Sequence, residues 1–361
     1  MKRKTLIKRI IKLIPLATIA LSLTFSMPIR LAAMGETEAA MASIILDPLE
    51  MQEETPQDDD YIKWMSFDVP LAILEQALYY DISAYQTACP LNWIELIAYS
   101  ASRNWGSFPK SKPCRYIDEA VKRLRNGENM ETLTQNLKLY HYYLETYTAV
   151  LGGFVGEYDV EQPNPDNPDE MIYIRKYGLK TFFPLARGYS YTHYDDFGVA
   201  RTYGYRRRHL GNDLMGSVGT PVIAIEDGYV EALGWNRYGG WRIGIRSRDQ
   251  KRYYYYAHLR KDHPYVKSLK IGDFVQEGDV IGYLGMTGYS AKENTNNIKI
   301  PHLHFGMQII FDESQKDAVS QIWINTYNLL RLLDKHKIPT VRDGETQEFV
   351  RTLKIRSIPI D

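Results

Sequence analysis

His209-Leu-Gly-Asn-Asp213 opens, and Pro301-His302-Leu-His304-Phe305 closes, the segment from which the fold of this chain is read. Between them stands a third histidine in Tyr256-Ala-His258-Leu259. Two histidines separated by one residue in an apolar phrase project from the same side of a strand, because strand side chains alternate between faces. His302 and His304 are therefore expected to point one way together. His209 and Asp213 are four apart, with Gly211 between them and no helical pattern around them, which predicts a strand running into a loop.

Hydrolytic zinc is held by three ligands of the His and Asp/Glu type, with a fourth position open to water. His209, Asp213 and one of the two closing histidines supply that number, and spacing alone does not decide between His302 and His304. The remaining histidine and His258 are then free for proton transfer, since an imidazole titrates near neutrality. A lone His-x-His in a strand is more often a hydrogen-bonded polar pair than a metal site. What favours a metal is the joint occurrence of the three phrases in one stretch punctuated by Gly and Pro turns.

These phrases resemble the signature of the lysostaphin-like (LytM-type) zinc metallopeptidases, the endopeptidases that cut bacterial cell-wall peptide. Gly219-Thr-Pro-Val222, Asp227-Gly-Tyr-Val230, and Lys270-Ile-Gly-Asp273 through Gly278-Asp-Val-Ile-Gly282 extend the likeness from near Phe197 to about Ile310. The resemblance implies an antiparallel β-sheet domain of lysostaphin type, the duplicated hybrid motif. It implies zinc held by His209, Asp213 and His304, His302 as general base, and His258 steadying the oxyanion or donating a proton. It also implies the peptide of peptidoglycan as substrate. The alternative function is a wall-binding or scaffold protein that keeps the fold without the chemistry. One departure is the polar insertion Tyr289-Ser-Ala-Lys-Glu-Asn-Thr-Asn-Asn-Ile-Lys-Ile300, expected to be a loop at the cleft rim.

The chain of 361 residues exceeds one average domain. With 44 basic and 44 acidic side chains it has no cationic excess to suggest a nucleic-acid partner. Lys2, Arg3, Lys4, Lys8, Arg9 and Lys12 precede an uncharged apolar run from Leu13 to Ile29. That order places the rest of the chain outside the cytoplasm, whether residues 1–34 are a cleaved signal peptide or a membrane anchor. Residues 35–64 are small, acidic and aperiodic, as in a disordered tether.

Residues 65–156 show helical spacing. Asp68 is expected to cap a helix begun by Pro70; further helices are predicted over Leu91–Trp105, Ile117–Arg125 and Met130–Val150. Glu95 sits too early in its helix to act as a glycosidase acid, so this small helical domain is read as a structural or wall-binding module. Residues 157–171, with Pro163, Pro165 and Pro168, read as a linker. The peptidase domain is assigned to 172–336, ending in an amphipathic helix from Ser314 to His336, and 337–361 to a tail. The class is therefore α+β and multidomain. His193 is read as a surface histidine, and Arg206-Arg-Arg208 as a solvated run that could steer acidic groups of the substrate. Cys89 and Cys114, the only cysteines, are either a disulfide or two free thiols.

Overall fold

In a computed structural model of the protein, residues 61–358 are described, apart from 111, 203–205 and 318. The expected signal or anchor segment and most of the expected tether lie outside them. The helical layer comes first. Helix α1 (Leu71–Ala84) starts directly after Pro70, which occupies the cap position; the expected Asp68 cap is not made, because Asp68 lies two residues too early. Helix α2 (Trp93–Arg103) is capped by Asn92, whose side chain accepts from the amides of Ile94 and Glu95. It ends two residues earlier than predicted, where Trp105 turns into the left-handed region at φ 53°. Helix α3 spans Arg115–Arg125. The single helix expected over Met130–Val150 is two, α4 (Met130–Thr134) and α5 (Tyr140–Leu151), broken around Asn136, a residue whose amide competes for backbone partners.

The expected linker is instead a long antiparallel hairpin, β1 (Val155–Asn164) and β2 (Asn167–Leu179). Its prolines do not stiffen a coil. Pro163 and Pro165 sit at or beside the tip and Pro168 near the start of β2, where few ladder hydrogen bonds are lost.

The second half is built on an antiparallel sheet. In chain order it contains β3 (Tyr191–His193), β6 (Asn212–Gly216), β8 (Gly228–Asn236), β9 (Gly240–Ser247), β10 (Arg252–Ala257), β11 (Phe274–Val275) and β13 (His302–Ile309). In space the order is β11-β8-β9-β10-β13-β6-β3, with β14 (Ile322–Trp323) paired to β13. The short hairpin β4 (Ala200–Thr202) and β5 (Arg206–Arg208) precedes β6, and β7 (Pro221–Ile223) pairs with β12 (Val280–Tyr283).

Alternation along β10 and β13 divides this sheet. Tyr254, Tyr256, Leu303 and Phe305 are fully buried in the core below. Tyr255, Ala257, His302 and His304 project from the other face; Ala257 pairs with His304, and His304 pairs with Asp213.

Beyond β13 the predicted helix over 314–336 is corrected. A 3-10 turn at Glu313–Gln315 and strand β14 precede a short helix, α6 (Tyr327–Leu333). Ile322-Trp323 is apolar at spacings a helix could use, but its backbone completes the edge of β13. The stretch expected to be a tail forms β15 (Thr340–Arg342), paired with β16 (Phe349–Arg351), and β17 (Ile355–Ser357), which pairs with β1.

The helices and the sheet share one apolar core rather than facing each other across a linker. A buried ion pair fastens the seam: Arg252 holds Glu226 through two hydrogen bonds of 2.8 and 3.0 Å and also donates to the Ala149 carbonyl at the end of α5. Cys89 and Cys114 are free thiols, and Cys114 is buried against the Ser100 hydroxyl. Among the described residues no helix is long and apolar enough to cross a membrane.

Candidate active site

Strands β6 and β13 bring Asp213 and His304 together as direct cross-strand partners, and the turn at Gly211 folds His209 over them. The expected order, strand into loop, is reversed here: His209 stands in the loop after β5, and Asp213 is on β6. Three potential ligand atoms converge. His209 Nε2 lies 3.0 Å from Asp213 Oδ1 and 2.9 Å from His304 Nδ1, and His304 Nδ1 lies 3.1 Å from Asp213 Oδ1. Two imidazole nitrogens so close to each other and to one carboxylate oxygen need a shared proton or a cation between them, and this donor set is that of a hydrolytic zinc site. The residues fit the metal.

A second ring of contacts holds the first. The Asp196 carbonyl lies 3.0 Å from His209 Nδ1 and its carboxylate 3.2 Å away, so Nδ1 donates to Asp196 and Nε2 faces the cluster. Arg201 spans Asp196 Oδ2 at 2.9 Å and Asp213 Oδ2 at 3.1 Å, leaving Asp213 Oδ1 for the centre. Burial disfavours the charged form of His209, but hydrogen bonds to Asp196 and Asp213 outweigh it and its pKa is pushed up to about 9. Burial likewise acts to raise Asp213, yet its contacts with His209 and His304 hold it far below the ordinary carboxylate range. The pocket keeps a buried negative charge and favours a positive one beside it.

His302 and His258 flank the cluster and are each fixed through Nδ1. His302 Nδ1 lies 2.8 Å from the Ile300 carbonyl and His258 Nδ1 2.9 Å from that of Thr287, which leaves both Nε2 atoms for the cleft. Their ring centroids are 4.8 Å apart, and His302 Nε2 is 3.7 Å from Asp213 Oδ1. Burial pushes the His258 pKa well below that of a free imidazole, with the neighbouring His302 and His304 adding to the effect. His258 also adopts a left-handed φ of 61°, an uncommon conformation for a residue with a side chain and one that collects at functional sites. Gly288 makes room beside it: a Cβ there would lie 2.9 Å from His258 Nδ1.

All five residues singled out in the sequence line one cavity of about 210 Å³. Tyr289, the first residue of the insertion, forms its wall; its ring stacks near His258 at 5.7 Å and carries the Arg207 guanidinium at 5.4 Å. The insertion is pinned by Asn294, which accepts from the Trp241 indole and the Asp262 amide. Asp196 and Arg201 are missed by sequence reasoning, and Tyr289 enters it only as the first residue of the insertion expected at the cleft rim. Arg207 is visible in it only as part of a basic run, and no spacing rule links Asp196 to His209. His193 is half-buried on β3, paired with Leu214 and therefore on the core side of β6 relative to Asp213. A larger cavity of about 310 Å³, between Arg260, His263, Tyr283 and the β15–β16 hairpin, contains none of the five.

An antiparallel sheet thus gathers His, Asp and His at one centre able to hold a metal ion, with two further histidines oriented toward it. Residues 207–319 match Peptidase family M23, and the chain carries a domain of that family. Over 125 residues it is 42% identical to an L-Ala--D-Glu endopeptidase of Bacillus subtilis, covering 35% of this chain and 37% of that protein. It is 33% identical over 102 residues to a peptidoglycan DD-endopeptidase of Vibrio cholerae, covering 28% and 20%. The solved catalytic domain of the antimicrobial peptidase lysostaphin from Staphylococcus simulans is 31% identical, with 39% of this chain and 92% of that one covered and a TM-score of 0.31. The matches thus span well under half the length of these two curated relatives.

Proposed function

We propose that the protein is a zinc-dependent endopeptidase that hydrolyses peptide bonds of bacterial peptidoglycan. The observation that carries this reading is the meeting of His209 Nε2, Asp213 Oδ1 and His304 Nδ1 within hydrogen-bond distance of one another, beneath two histidines that offer Nε2. These three atoms would hold the metal, which when bound supplies a Lewis acid and a water of pKa near 7. Asp196 and Arg201 orient the ligands. His302, with Nδ1 committed to the Ile300 carbonyl, accepts the proton of the attacking water at Nε2. His258, whose Nδ1 is likewise committed, has Nε2 alone to offer to the developing oxyanion or the departing amine, and, its pKa being held low by burial, a proton carried there is readily given up.

The order of basic and apolar residues at the amino terminus supports export of this domain, by a cleaved signal or a retained anchor. We read the helical layer over 65–156 as a structural or wall-binding module fixed to the peptidase sheet.

The test is digestion of peptidoglycan by the zinc-loaded full chain beside His302→Ala, with released amino groups counted and muropeptides weighed by mass spectrometry. New amino groups that vanish with a chelator, and fall roughly 10²–10⁴-fold in the variant, are expected. No release from peptidoglycan of any crosslink type overturns the reading.

A further inference from the structure

We propose that Arg207 reads a carboxylate on the substrate, so that the cleft takes an acidic peptide, the carboxylate lying within about three residues of the scissile bond. This rests on the peptidase reading above and adds the substrate class to it.

Two arginines line the cleft, and their circumstances differ. Arg201 is neutralised by Asp196 and Asp213. Arg207 has no carboxylate partner among the described residues; its Nε is buried without a hydrogen bond, and Nη2 meets only the Tyr289 hydroxyl. A half-buried guanidinium lacking an anion keeps most of its desolvation penalty, and a planar fork of donors matches a carboxylate. The Tyr289 ring holds this fork in place by a cation–π contact at 5.4 Å, and its centroid lies 5.7 Å from that of His258, so the unpaired charge stands one aromatic ring from the reacting centre. At about 3.4 Å per residue, an extended peptide spans that distance in at most about three residues. The electrostatics of the remaining wall agree, since among the described residues the only acidic side chain lining this cavity is Asp213, already held by its neighbours.

The experiment uses the zinc-loaded full chain and two synthetic peptides, L-Ala-D-Glu-L-Lys with the glutamate carboxylate outside the peptide bond either free or amidated. Cleavage is followed by mass spectrometry and binding by isothermal titration, for wild type, Arg207→Ala and Arg207→Gln. Wild type is expected to favour the free carboxylate by about tenfold or more, the scale of a charge-assisted hydrogen bond, and both variants to bring the ratio near one. Unchanged zinc content and melting temperature in Arg207→Gln exclude misfolding as the cause. If wild type binds with that preference but cleaves neither peptide, the carboxylate site stands and the peptidase reading falls. If wild type shows no preference, or the variants weaken both peptides equally so that Arg207 only stiffens the Tyr289 wall, the proposal is overturned.

Discussion

Gly211 lies against the ring of His304 so closely that a Cβ at this position would stand 2.7 Å from His304 Cε1 and 2.6 Å from the Phe305 carbonyl oxygen. The glycine between His209 and Asp213 is therefore a requirement of the cluster. One contact is with backbone and cannot yield by rotating a side chain, so the loop or strand β13 must move. Gly211→Ala is expected to lower stability by about 1–3 kcal/mol, the usual cost of overpacking, and to spoil the convergence of the three ligand atoms. Thermal unfolding and zinc stoichiometry check this; a variant with full zinc content and an unaltered melting temperature would show that the approach is dispensable.

Asp196 and Arg201 make a second prediction. Asp196 orients His209 twice, through its carbonyl and its carboxylate, and only the carboxylate is removed by mutation. Loss of an outer partner of a metal ligand costs typically about 10–100-fold in affinity. Because the carbonyl contact survives, Asp196→Ala is expected near the lower end of that range, with Arg201→Ala comparable through the freed Asp213 Oδ2. Zinc competition against a chromogenic chelator measures both. Affinities equal to wild type in the two variants would remove the ring from the account of the site.

The chemistry is more legible in the sequence than its supports. A period of two makes His302 and His304 neighbours on one face whatever lies elsewhere, and the same period sends Tyr254 and Tyr256 into the core while Tyr255 joins the cleft. Asp196 and Arg201 carry no such rule, because their meeting with His209 and Asp213 depends on how the loop before β4 folds back. Composition misleads at 157–171, where prolines collect near a hairpin tip and the ladder lies mostly on either side. Ile322-Trp323 reads as helical because apolar spacing does not report the open edge of β13 that takes it as β14. The β15–β16 hairpin is hidden because its strands are only three residues each and it is anchored through Glu348 to Tyr283, His263 and Lys267, far away in the chain.

Arg252 is 1% exposed and forms its pair with Glu226 under the end of α5, with Asp249 at 2.7 Å as a further partner. The Tyr254 hydroxyl also donates to Glu226. Removing one member of such a pair strands a buried charge, and the cost is about 3–5 kcal/mol. Arg252→Ala is thus expected to destabilise strongly and to free the Ala149 carbonyl, loosening α5 from the sheet. Calorimetry and hydrogen exchange in α5 provide the measurement. Replacing both partners, as in Arg252→Met with Glu226→Leu, is expected to recover much of the loss; a single variant as stable as wild type would contradict the role assigned to the pair.

Glu348 governs how the β15–β16 hairpin answers to pH. It is buried at 8% exposure and accepts from the Tyr283 hydroxyl at 2.5 Å, His263 Nε2 at 3.0 Å and the Lys267 amide at 3.3 Å. Burial acts to raise its pKa, but the hydrogen bonds from Tyr283 and His263 win and the net shift is downward. A carboxyl whose folded-state pKa lies below its unfolded value of about 4.3 stabilises the fold fully above that value, and the contribution is lost as pH falls through the folded pKa. The hairpin is therefore expected to become susceptible to an acid-active protease below about pH 4 while the sheet around β10 and β13 stays protected. Glu348→Gln should show the susceptibility already at neutral pH and lose its dependence on acid. Equal cleavage of wild type and variant at every pH would detach the hairpin's stability from this carboxylate.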